Sequence, residues 1–100
     1  PEVSITSFAA FPNPFDPDAG PAGFEFNLGT ESGVKILIYD LFGALVREMN
    51  LSRQAGRNLA SWDGRNGKGE TVGNGGYVIR IEATADGKTV TATDRLAVVK

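Results

Sequence analysis

Few residue types in this 100-residue chain can do chemistry, because it has neither histidine nor cysteine. That removes the usual general base, thiolate catalysis, disulfides and the two commonest transition-metal ligands. Carboxylates, hydroxyls and amines remain. Asp16 and Asp18 form an acidic pair inside the proline-rich run Pro12-Asn13-Pro14-Phe15-Asp16-Pro17. Acid–base work by two carboxylates needs an enclosure that drives their pKa values apart. Prolines around the pair read instead as a solvated turn. Ser4, Ser7, Ser32, Ser52 and Ser61 have no imidazole to activate them, and no local motif couples one to a lysine. Asp63 to Glu70 has the outline of a calcium loop, but Arg65, Gly67 and Lys68 occupy its third, fifth and sixth positions. Calcium loops need oxygen ligands at the third and fifth and glycine at the sixth. Gly73-Asn74-Gly75-Gly76 lacks the Lys-Ser/Thr of a phosphate loop and precedes a strand. No catalytic, cofactor or metal-ligating residue is therefore expected.

The elements around these residues are strands. Val3, Ile5 and Phe8 lead into the proline turn; Phe24, Phe26 and Leu28 alternate with Glu25 and Asn27. Val34 to Tyr39 is apolar on both faces apart from Lys35, the mark of a central strand. Asp40-Leu41-Phe42-Gly43 reads as a type I turn with a bulge, and Leu45 to Leu51 as a return strand whose charges suit an exposed or edge position. Arg57 to Trp62 feeds the glycine-rich connection. Tyr77, Ile79, Ile81 and Ala83 face one way, Asp86-Gly87 is a two-residue hairpin turn, and Lys88 to Val99 returns, with a bulge expected near Asp94. About seven strands with regular turn signals predict an all-β antiparallel sandwich forming a single domain over residues 1–100. Its core should contain Phe24, Phe26, Ile36, Ile38, Trp62, Tyr77, Ile79 and Ile81. Trp62 should lie inside with its indole N–H partnered. Phe11 and Phe15 should fold back over the core, and Phe42 should point outward from its turn.

Net charge is −2, which provides no attraction for nucleic acid. No apolar run approaches the roughly 20 residues that span a bilayer, so membrane insertion is not expected. The chain begins at Pro1 rather than methionine and reads as an excised or processed segment whose targeting signal lies elsewhere.

Four segments in order carry a resemblance: Phe11-Pro12-Asn13-Pro14-Phe15, Ile38-Tyr39-Asp40-Leu41-Phe42-Gly43, Trp62-Asp63-Gly64-Arg65-Asn66, and Gly75-Gly76-Tyr77 with Ile79 and Ile81. Together they resemble the FlgD-type immunoglobulin-like domain of flagellar hook-capping proteins, a module related to C-terminal type IX secretion sorting domains. Ala44 departs from it: many members carry a basic residue after the turn glycine. The resemblance implies an immunoglobulin/fibronectin-III-like sandwich in an extracellular, cell-surface or periplasmic protein. It implies a non-catalytic role in assembly, attachment or sorting. Partners would be proteins: parent domains, neighbouring copies or secretion machinery. The alternative is a carbohydrate- or metal-binding accessory domain of a secreted hydrolase, for which exposed Trp62, Tyr39 and Phe42 would argue. The expected working surface is the first strand, through Ile5, Thr6 and Phe8, together with Phe42. That strand lacks the lysines that guard an edge, and proline at Thr6 is expected to delete an outward donor.

Overall fold

The computed structural model describes residues 2–100 and contains seven strands: β1 (Ile5–Phe11), β2 (Ala22–Leu28), β3 (Ser32–Asp40), β4 (Leu45–Arg53), β5 (Gly56–Trp62), β6 (Gly75–Ala85) and β7 (Lys88–Val98). They form two antiparallel sheets, one ordered β1-β2-β5 and the other β4-β3-β6-β7. This is the expected immunoglobulin-like sandwich. The doubly apolar Val34–Tyr39 run is indeed central, in β3, and the charged β4 is indeed an edge.

The period-two pattern sets the register. β3 and β6 bring Ile36 opposite Ile81 and Ile38 opposite Ile79, and β2 supplies Phe24 and Phe26 from the facing sheet. All eight residues expected in the core are buried. The sandwich has two distinct ends. Leu28, Ser32, Gly56 and Ile5 lie at the end where the chain enters, here the amino end. Phe11, Ala22, Asp40, Trp62 and Tyr77 lie at the other, the aromatic end. There Phe15, Trp62 and Tyr77 stack in series, with ring centroids 5.7 and 6.1 Å apart, and stop the space between the sheets.

Two expectations need correction. β7 has no bulge at Asp94: it pairs with β6 without a break from Lys88 to Val98. Asp94 therefore occupies an inward-facing position, opposite Ile79, and the apparent loss of phase is a polar residue on the core face. Phe11 does not fold over the core. It is 44% exposed on the outer face of the smaller sheet, its ring lying against Gly23, where any Cβ would collide with it. An aromatic laid across a strand glycine covers backbone that would otherwise be bare.

Candidate functional site

The β3–β4 turn is held by one carboxylate. Asp40 Oδ1 accepts the N–H groups of Phe42 and Ala44 at 2.9 and 3.0 Å. The backbone closes the same turn through Gly43 N–H to Asp40 O and Asp40 N–H to Ala44 O. Gly43 takes φ 87°, a left-handed conformation that costs a glycine little. This frame holds Phe42 98% exposed. Beside it Leu41 rests on Gly76, and Leu41 and Leu45 are themselves exposed. Sequence reasoning named Phe42 and missed these two flanking leucines. The signal was three large apolar residues within five positions of a turn.

The first strand presents less than expected. Thr6 is exposed, but Ile5 and Phe8 are half-buried and pack against the core. Gly29 donates to Ser4 O, so alternation turns the backbone of Thr6 towards β2 and that of Ile5 outward. Proline at Thr6 would therefore break the sheet, not a free edge; Ile5 is the outward donor. Between Thr6 and Ala9 the register shifts and Ser7 takes φ 58°. β1 then runs alongside β7, where Ala10 N–H donates to Asp94 Oδ2 at 2.9 Å. Ile5, Thr6 and Phe8 sit towards the amino end and Phe42 at the tip of the aromatic end, so the four residues do not form one site.

The glycine-rich loop spends its oxygens internally. Asp63 Oδ1 accepts Arg65 N–H at 3.0 Å and the Arg47 guanidinium at 3.3 Å. Asn66 Oδ1 accepts the N–H groups of Lys68 and Glu70, and Arg65 Nη1 reaches Gly69 O. These are Asx-type turns, with cations where a dication would have to sit. Among the described residues no three metal-ligating side chains converge. Asp16 likewise accepts Asp18 N–H in a local turn. Between this loop and the β3–β4 turn runs an open cleft of about 620 Å³, lined by Asp40, Lys68, Glu70 and Tyr77 among others. The Tyr77 hydroxyl donates to Gly73 O at 2.7 Å. Burial, and then the charge of Asp40, raise its pKa above the usual 10.0, so it is neutral and occupied at physiological pH. Trp62 is 1% exposed, and its indole N–H donates to Arg65 O at 2.9 Å. It is not available for stacking on a sugar, and Tyr39 is only half exposed.

Comparison with protein families matches residues 13–87 to the FlgD Ig-like domain. The chain belongs to that family. No curated protein matches it. Among solved structures, FlgD of P. aeruginosa superposes with a TM-score of 0.73 at 28% identity, over 85% of this chain and 65% of that one. Dimeric latent PorU of Porphyromonas gingivalis gives a TM-score of 0.82 at 23% identity, over 99% of this chain. PorZ of the same organism, an essential bacterial surface component of the type IX secretion system, gives 0.62 at 24% identity, over 93%. The chain spans 10% of PorU, 11% of PorZ and 65% of FlgD, so the likeness is to one part of each. At these identities PorU and PorZ show the fold alone.

In this FlgD Ig-like domain Asn13, Phe15, Asp40, Trp62, Gly64 and Tyr77 gather at the aromatic end. Asn13 Oδ1 accepts Ala97 N–H, and Phe15 bonds through its backbone to Ala97 and Val99. Gly64, at φ 80°, leaves room for Pro17 and Phe15, either of which a Cβ would crowd. Tyr77 and Trp62 complete the stopper. Phe15, Trp62 and Tyr77 thus close the sandwich at this end, while Leu41 and Phe42 of the β3–β4 turn are left in solvent.

Proposed function

We propose that residues 1–100 work as one non-catalytic domain that attaches or assembles a secreted or cell-surface bacterial protein through protein contacts. Membership of the FlgD Ig-like family supports this reading. The observation that carries it is Phe42, held 98% exposed by an ordered turn. An apolar ring kept in water on a stiff frame loses little entropy when a partner covers it, which is how interface anchors gain affinity. Leu41 and Leu45 widen that tip. The outward start of β1, at Ile5 and Thr6 with Phe8 behind them, is a second contact at the far end. The domain works in the extracellular space or cell envelope.

The test is Phe42→Ala in the whole parent protein. Surface retention or assembly of the parent should fall, while the melting of the 100-residue chain stays within about ±0.5 kcal/mol of wild type, as for any exposed truncation. Unchanged retention and assembly would refute the Phe42 contact.

A further inference from the structure

A sandwich of two open sheets has four strand edges, and three of them here carry protecting features over part of their length. β1 carries its register shift at Ser7 and gives its Ala10 N–H to Asp94. On β7 the same carboxylate takes Arg95 N–H through Oδ1, and Phe15 bonds to Ala97 and Val99. β4 has a register shift at Ile38/Tyr39, receives Gly67 N–H on Val46 O, and bears Arg47, Glu48 and Arg53. These are the devices that protect natural edges.

β5 has none of them. It pairs with β2 over seven consecutive residues without a shift, and contains no lysine or proline. Its one charge, Arg57, is neutralised by Glu25. Gly56, Asn58, Ala60 and Trp62 oppose the β2 residues Leu28, Phe26, Phe24 and Ala22. Those β2 residues bond towards β5, because Gly29 and its alternates bond towards β1. Arg57, Leu59 and Ser61 therefore point their backbone groups away from the sheet, and none of those groups has a partner among the described residues. Constant-type immunoglobulin sheets fill this position with a fourth strand. Here β4 belongs to the other sheet, and the place is vacant.

A groove of about 280 Å³ runs beside the vacancy, lined by Met49, Leu51 and Arg53 of β4 and Leu59, Ala60 and Ser61 of β5. Leu59 is 59% exposed. Towards the aromatic end the seam is shut by Gly67 on Val46 and by Arg47 reaching Asp63 and Arg65 O. Towards the amino end it is open, and there Arg53 donates to Ser52 O and pairs with no carboxylate among the described residues. We infer that the β4/β5 seam is a strand-docking site for an extended peptide segment with alternating apolar side chains and a carboxylate at the end that meets Arg53. The backbone of Arg57, Leu59 and Ser61 supplies the ladder, the groove takes every second side chain, and Arg53 sets polarity. This site rests on different residues from the Phe42 tip, so either can fail alone.

The probe is a short synthetic peptide alternating valine and threonine and ending in aspartate, with a lysine-ended twin, added to the 100-residue chain. At saturation, exchange of the Leu59 and Ser61 amides should slow by about tenfold or more, as for amides entering a ladder, while the Ile5 amide is unchanged. The aspartate peptide should bind about fivefold tighter than its twin, the upper range for a surface ion pair. Arg53→Glu, a change at the half-buried last position of β4, should reverse that order while circular dichroism shows the sandwich retained. Unprotected Leu59 and Ser61 amides, protection at Ile5 instead, or an order that Arg53→Glu does not alter would each overturn the proposal. Concentration-dependent protection of the same amides without peptide, with a dimer in sedimentation, would assign the edge to a second copy and overturn it too.

Discussion

Asp94 Oδ2 accepts the backbone N–H of Ala10 at 2.9 Å, joining strands of opposite sheets that are 84 residues apart in the chain. Its other oxygen accepts Arg95 N–H at 2.8 Å, so one carboxylate satisfies two edge donors.

Asp94→Ala should therefore lower stability by about 1–3 kcal/mol, the cost of leaving the part-buried Ala10 N–H without an acceptor. On a domain this size that is a fall in midpoint of about 4–8 °C per kcal/mol. Asn at this position should lie between, since its amide can accept at only one oxygen. Thermal unfolding of the three proteins decides it; equal midpoints would remove the role given to Asp94.

Gly64→Ala should cost more than its one carbon implies. The residue sits at φ 80°, and the added Cβ would lie 2.8 Å from Pro17 and 3.3 Å from Phe15. Left-handed strain alone is worth about 1–2 kcal/mol, and displacing Phe15 loosens the aromatic stopper. Gly67→Ala, with φ unremarkable and nothing nearby, should cost less than about 1 kcal/mol. Urea titrations of the pair test the contrast.

Tyr77 predicts a loss of stability in alkali. Burial, then Asp40, raise its folded pKa above the unfolded 10.0. Its contribution is intact below that value. It declines as pH rises from there through the folded pKa, because the unfolded chain releases the proton first. The limiting slope is about 1.4 kcal/mol per pH unit. Tyr77→Phe should lose about 1 kcal/mol at neutral pH, for the bond to Gly73 O, yet show a shallower alkaline decline. Parallel decline in both proteins would refute the assignment.

Calcium and chelator should give superimposable melts. The loop oxygens of Asp63 and Asn66 already accept protein donors, and Arg65 lies between them. A shift of about 10 °C or more would show metal coupled to folding.

The strands and their pairing were legible because the side-chain period is two and the core face carries the large apolar residues of β2, β3 and β6. The Asp40 turn was legible because its residue types dictate its geometry. Asp94 misled, since a carboxylate on a core face has no local signature; its reason lies 84 residues away, in the exposed edge of β1. Phe11 misled for a similar reason: the glycine it covers, Gly23, is on another strand. The β1 contribution to the expected surface shrank because Ile5 and Phe8 turn inward, which depends on a bulge at Ser7 that no residue type announces. The β5 edge was not legible at all. It follows from which sheet β4 joins, a property of topology and not of any segment.

β1 and β7 run in the same direction side by side, and the link that continues β1 makes a parallel bridge from Phe15 to Val98. A chain held before Ile5 and after Val98 at opposite ends of the sandwich would be pulled along these strands. The Phe15–Ala97, Phe15–Val99 and Ala10–Asp94 bonds would then be sheared together instead of unzipping one at a time. Mechanical resistance is thereby built into the seam, and an optical-tweezer trace of the wild type should unfold at higher force than Asp94→Ala. For a domain fixed in the envelope and tugged from outside, the same bonds that join two strand edges would also bear the tension.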